Sequence, residues 1–170
     1  MATIYHTLKP EEAQPLASAF PAFLKNNGTN FPVSGLAYND TTQESAYWVF
    51  NAIGYGSGNL SLDIYWYADT ETSTNTIVWE SQLACITADT DTTDVETKGL
   101  DSLNYFQDTH LGTTGQRLHK CTISITNLNS IAAGDVCWLK IARDADGSNA
   151  TDNLTGDGIL VLAILSYSDT

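Results

Sequence analysis

The stretch GDGILVLAILSYSDT, from Gly156 to Thr170, constrains the fold of this chain more than any other. Side chains alternate along an extended strand, so Ile159, Val161, Ala163 and Leu165 fall on one face and Leu160, Leu162 and Ile164 on the other. Both faces are apolar. A surface strand of an antiparallel sheet keeps one polar face, so this strand is either central in the fold or covered by another subunit. With Leu160, Leu162 and Ile164 in water, each would forgo roughly 1.5–3 kcal/mol, a sum comparable with the stability of a small domain. These three residues are therefore read as an oligomer interface, and a homo-oligomer, a trimer, is expected.

The rest of the chain after Pro32 repeats the same kind of element. Strands are read at Gly35 to Tyr38, Ser45 to Tyr55, Asn59 to Thr70, Thr76 to Thr87, Gln116 to Leu128 and Ala132 to Asp146, with a weak one between Val95 and Asp108. The cleanest alternation is NLSLDIYWYADT, with Leu60, Leu62, Ile64, Trp66 and Ala68 inward and Ser61, Asp63, Tyr65, Tyr67 and Asp69 outward. No segment after residue 32 has the helical period, and the connections are too short for crossover helices. The expected fold is all-β, an antiparallel sandwich of about eight strands in jelly-roll arrangement over residues 33–170.

Residues 1–32 read differently, because all four prolines lie there, at Pro10, Pro15, Pro21 and Pro32. Proline removes a ladder donor and disfavours helix before it, so an extended or irregular N-terminal arm is expected. Its aromatics must pack somewhere: they either cap the open end of the sandwich or reach a neighbouring subunit or partner. The second reading assigns Tyr5, His6, Leu8, Phe20 and Phe23 to a partner-binding arm.

Charge excludes several functions. Twenty Asp and Glu against seven Lys and Arg give a net charge of −13, and the few cations are scattered, so neither nucleic acid nor an anionic membrane is an expected partner. The terminal apolar run is too short to span a bilayer. The N-terminus lacks a basic start and an unbroken apolar run, so folding in a cytoplasm is expected, with Cys85, Cys121 and Cys137 as free buried thiols.

No chemistry is signposted. His6, His110 and His119 show no His-x-His spacing, no Gly-x-Ser-x-Gly elbow is present, and the Asp- and Asn-rich loop from Asp144 to Asn153 does not match a calcium loop. No catalytic residue, metal or cofactor is expected, and the protein is read as a non-enzyme. Outward Tyr65 and Tyr67, together with Trp138 and Tyr47, are either covered or form an aromatic platform for sugars.

The run from Phe20 to Asp69, the segment DTHLGTTGQRLHKCTISITNL and the ending GDGILVLAILSYSDT resemble small jelly-roll cement or decoration proteins of tailed phages. That resemblance implies a virion structural protein made in the host cytoplasm, binding the major capsid protein lattice of the assembled head as a trimer and stabilising it. The alternatives are a lectin-like carbohydrate-binding module or a tail- or fibre-associated jelly-roll domain.

Overall fold

Ten strands build two antiparallel sheets, as a computed structural model describing residues 2–170 shows. In chain order they are β1 (Thr3–Leu8), β2 (Ala22–Asn27), β3 (Pro32–Tyr38), β4 (Ser45–Asn51), β5 (Leu60–Ala68), β6 (Thr76–Ile86), β7 (Asn104–Thr109), β8 (His119–Ile125), β9 (Val136–Arg143) and β10 (Gly158–Ser168). The first sheet runs β2-β3-β10-β5-β8, with β1 also on β10, and the second runs β4-β9-β6-β7. The only helical element among the described residues is a single 3-10 turn, Pro10–Glu12. The antiparallel sandwich expected from the alternating patterns is what forms, and its shape is that of a jelly roll.

The two inner faces meet in one core. β5 contributes Leu60, Leu62, Ile64 and Trp66, β8 contributes Cys121, Ile123 and Ile125, and β9 contributes Cys137, Leu139 and Ile141, all inward as their alternation demands. Trp48, Trp66 and Trp79 are enclosed there. Large rings fill the space between two sheets that pack about 10 Å apart.

β10 is central, but simple alternation does not describe its faces. The register shifts between Leu160 and Leu162, so one extra residue is accommodated and the facing pattern slips by one. Leu160, Ala163, Leu165 and Tyr167 point into the core, whereas Ile159 joins a second cluster on the outer face with Ala37 and Tyr67. Leu162 and Ile164 lie outward and half-buried. Leu160 therefore cannot belong to an oligomer interface, because it is wholly inside the sandwich.

The expected arm over residues 1–32 is extended, yet it is woven into the first sheet. β1 pairs with the C-terminal half of β10, Thr3 opposite Ser168 through Leu8 opposite Ala163, and β3 takes the N-terminal half of the same edge. β2 forms a hairpin with β3, in which Pro32 occupies the first position of its strand, where a missing donor is tolerated. Chain ends in such sheets are tied down by ladder hydrogen bonds, which the proline count could not reveal.

Two cross-links fix the interior. Cys85 on β6 and Cys137 on β9 sit directly opposite in the ladder and form a disulfide, which corrects the free-thiol expectation; only Cys121 stays free, and it is buried. Fifty-two residues separate them in sequence, but antiparallel register brings them together. At the far end of β9, the fully buried Arg143 holds the Asp152 carboxylate with two N–H groups and donates to the carbonyls of Tyr38, Leu154 and Gly156. All its donors are used, which a buried guanidinium requires. This pins the loop between β9 and β10 against the first sheet.

Candidate functional site

The outer face of the first sheet carries a valley of about 430 Å³ across its strands. Its floor is Val33 of β3, Val161 of β10 and Tyr67 of β5, three neighbouring strands. One wall is the β2–β3 turn, with Asn26, Gly28 and Phe31; the other is the loop before β8, with Gln116 and Leu118. The extra residue in β10 makes this floor, since it presents Val161 and Leu162 outward in succession instead of hiding one of them.

Apolar faces and hydrogen-bonding groups alternate around the valley. Phe31 is 69% and Leu118 60% exposed, a large apolar exposure for two loop side chains. The Tyr67 ring is packed by Ala37 and Ile159, and its hydroxyl accepts a 3.4 Å hydrogen bond from Asn26 Nδ2. The Asn26 and Gln116 amides can each donate and accept, and the phenol can do both as well. Tyr67 is the one ionisable side chain of the lining, so the valley supplies surfaces and hydrogen bonds rather than a general acid, base or nucleophile.

Farther along the same face a polar row continues the floor. Tyr65 stands between Leu162 and Lys120 in the ladder, and Lys120 Nζ lies 5.7 Å from the centre of its ring. Asp63 accepts from Lys120 at 2.8 Å and from the Thr122 hydroxyl at 2.6 Å. The hydrogen bond to Asp63 raises the Lys120 pKa above its ordinary value. Of the aromatics singled out in the sequence, Tyr65 and Tyr67 are thus on this face, while Trp138 and Tyr47 lie on the opposite face of the sandwich.

The residues assigned to a partner-binding arm fall in two places, Tyr5, His6 and Leu8 around one hollow and Phe20 and Phe23 around another. Leu8 is in the core, and His6 turns inward, its Nε2 2.9 Å from the Tyr167 hydroxyl and its ring 5.1 Å from Phe50; burial lowers its pKa. The alternation of β1 turns both inward, Leu8 fully and His6 to a half-buried position in a hollow that Tyr5 also lines. Tyr5 is exposed beside them, whereas Phe20 and Phe23 line a separate hollow with Pro10, Pro15 and Leu36.

The remaining histidines pack as core residues. His119 lies on Trp66 with 4.7 Å between ring centres, and His110 is 4.6 Å from His119. Burial and the neighbouring His110 lower the His119 pKa. Among the described residues no group of three or more His, Cys, Asp or Glu side chains is placed to hold a metal ion.

No protein-family model matches the chain, and no curated protein matches it either. In fold it is similar to a carbohydrate-binding module specific for non-crystalline cellulose, CBM28, with TM-score 0.51 and 5% identity, covering 91% of this chain and 85% of that one. It is also similar to TmCBM27, a carbohydrate-binding module of specific mannan recognition, with TM-score 0.51 and 10% identity over 99% of both chains. At these identities the likeness is one of fold. The capsid-decoration reading is corrected on this point: the solved structures that the fold is similar to are carbohydrate-binding modules, which favours the saccharide alternative over head stabilisation.

Proposed function

We propose that this protein is a non-catalytic carbohydrate-binding module, and that the valley floored by Tyr67 holds a saccharide chain. The observation that carries the proposal is the pairing of exposed aromatic and apolar walls with the Asn26, Gln116 and Tyr67 polar groups in one preformed channel. Sugar rings have an apolar C–H face and a hydroxyl rim. They are matched by an aromatic π face and by amides that donate and accept at once. The two neighbours' own ligands, non-crystalline cellulose and mannan, support the same class of ligand. The acidic surface, at −13, favours an uncharged glycan over an anionic one. A disulfide in the core supports a module working in an oxidising compartment, where polysaccharides of cell walls are met.

The test is titration calorimetry with soluble β-mannan, mixed-linkage β-glucan and amorphous cellulose, on wild type and on Phe31→Ala and Gln116→Ala. Both side chains are exposed, so both variants keep their fold. One of the three glycans binds the wild type, and each variant weakens it about tenfold, the equivalent of about 1.4 kcal/mol. Absence of binding to all three, together with a mass that doubles or triples with concentration, would instead make this face an interface between copies.

A further inference from the structure

We infer that the outer face of the second sheet carries a second saccharide site, centred on Trp138, so that one molecule grips two glycan strands on opposite sides. Three of the four tryptophans, Trp48, Trp66 and Trp79, are enclosed in the core. Trp138 alone is left half-open, on β9 in mid-sheet. Its indole N–H donates to none of the described residues, whereas those of Trp48 and Trp66 are bound to the Lys9 carbonyl and to Asp108, each at 2.8 Å. An indole with a solvated face and a free donor is a group prepared for a ligand.

The surroundings make a channel of it. Trp138, Tyr47 and Ala84, from β9, β4 and β6, form the floor of a valley of about 240 Å³. Leu16 forms one wall, in a segment held by paired backbone hydrogen bonds between Gln14 and Tyr47, at 2.7 and 3.3 Å. The loop between β6 and β7 forms the other wall with Val95 and Lys98. That loop is anchored where the Asp101 N–H donates to the Leu83 carbonyl at 2.8 Å and the Gln82 amide donates to the Asp101 carbonyl at 2.9 Å. Lys98, which lines the same valley, makes no ion pair among the described residues.

The shape selects among occupants. A peptide that adds a strand needs an open sheet edge, but β9 is hydrogen-bonded to β4 on one side and β6 on the other. A second copy needs roughly 1,200 Å² or more of matched surface, and a walled channel of about 240 Å³ does not by itself offer it. A pyranose chain fits: a sugar C–H face on Trp138, with hydroxyls reaching the indole N–H, the Tyr47 hydroxyl and Lys98.

The inference shares with the proposed first site only the class of ligand, and the variants separate the two. With manno- and cellohexaose in calorimetry, the wild type takes up two oligosaccharides per chain. Trp138→Ala leaves one, at the affinity of the first valley, and Phe31→Ala weakens the other at least tenfold. Val95→Asp, which alters a wall residue that is exposed and far from the core, also leaves one, so a folding defect in Trp138→Ala is not needed to explain the result. With long soluble polysaccharide the wild type precipitates it, and Trp138→Ala binds without precipitating. A stoichiometry of one in the wild type, unchanged in Trp138→Ala and lost in Phe31→Ala, overturns this inference and leaves the first site standing. Binding lost in Trp138→Ala and untouched in Phe31→Ala leaves this inference standing and overturns the first site. No uptake of either oligosaccharide or polysaccharide by the wild type overturns both.

Discussion

Replacing Arg143 by Met removes a guanidinium that is wholly enclosed and leaves the Asp152 carboxylate, 3% exposed, without its counter-charge. The carbonyls of Tyr38, Leu154 and Gly156 lose their donors at the same time. Breaking a buried pair from one side costs about 3–5 kcal/mol, and the orphaned carbonyls place this variant at the upper end. With a urea m-value of about 2 kcal/mol/M, the unfolding midpoint falls by about 2.5 M. For a protein whose whole stability is about 5–15 kcal/mol, that is a large share. The double variant Arg143→Met, Asp152→Leu removes both charges and leaves only neutral groups without these partners: the three carbonyls and the Val78 N–H, which donates to Asp152 at 3.0 Å. It recovers at least about 2 kcal/mol relative to Arg143→Met, because replacing both partners abolishes the uncompensated charge. Urea titrations of the two variants decide the matter. A double variant no more stable than the single one would show that the carboxylate is solvated after all, and would refute the account of Arg143 as the pin of the β9–β10 loop.

Two further outcomes concern stability. Glu71 is buried and accepts hydrogen bonds from Thr72, Ser73, Asn75 and Thr155, with the Ser73 N–H foremost, and these hold its carboxyl down at about 2. A depressed folded pKa gives stability that is present above the ordinary value of 4.5 and is lost as pH falls toward 2. Thermal unfolding from pH 5 to pH 2 therefore shows an acid limb that Glu71→Gln flattens; an unchanged slope would reject it. Reduction of the Cys85–Cys137 disulfide frees a closed loop of 52 residues and lowers stability by about 4 kcal/mol on the chain-entropy account. Urea midpoints with and without reductant measure the drop. Cys121, whose burial pushes its thiol pKa up, reacts with a thiol reagent only once the chain unfolds.

How much of this was legible in the residues depends on whether local alternation held. β5 and β8 were readable to the residue, since nothing interrupts their two-residue period and each side chain lands where it should. β10 was not, because one inserted residue inverts every assignment after it, and the bulge leaves no mark in a run that is apolar throughout. The disulfide and the enrolment of residues 3–8 in the first sheet are matters of long-range register, which spacing along the chain does not encode. The candidate site was half visible: Tyr67 and Trp138 were identified as outward-facing aromatics. Phe31, Gln116 and Leu118 were not identified as parts of a site, because they sit on two loops far apart in sequence that only strand order brings to one face.

The pairing of β1 with β10 carries a consequence for how the protein is made. A ribosome releases Thr3–Leu8 long before Ala163–Ser168, so the earlier segment has no ladder partner until the later strand emerges. Distant pairings of this kind close late and place folding at the slow end for sandwiches of this size. The molecule is a clasp whose hook is made well before its eye, and through that interval the hook depends on whatever keeps nascent strands apart.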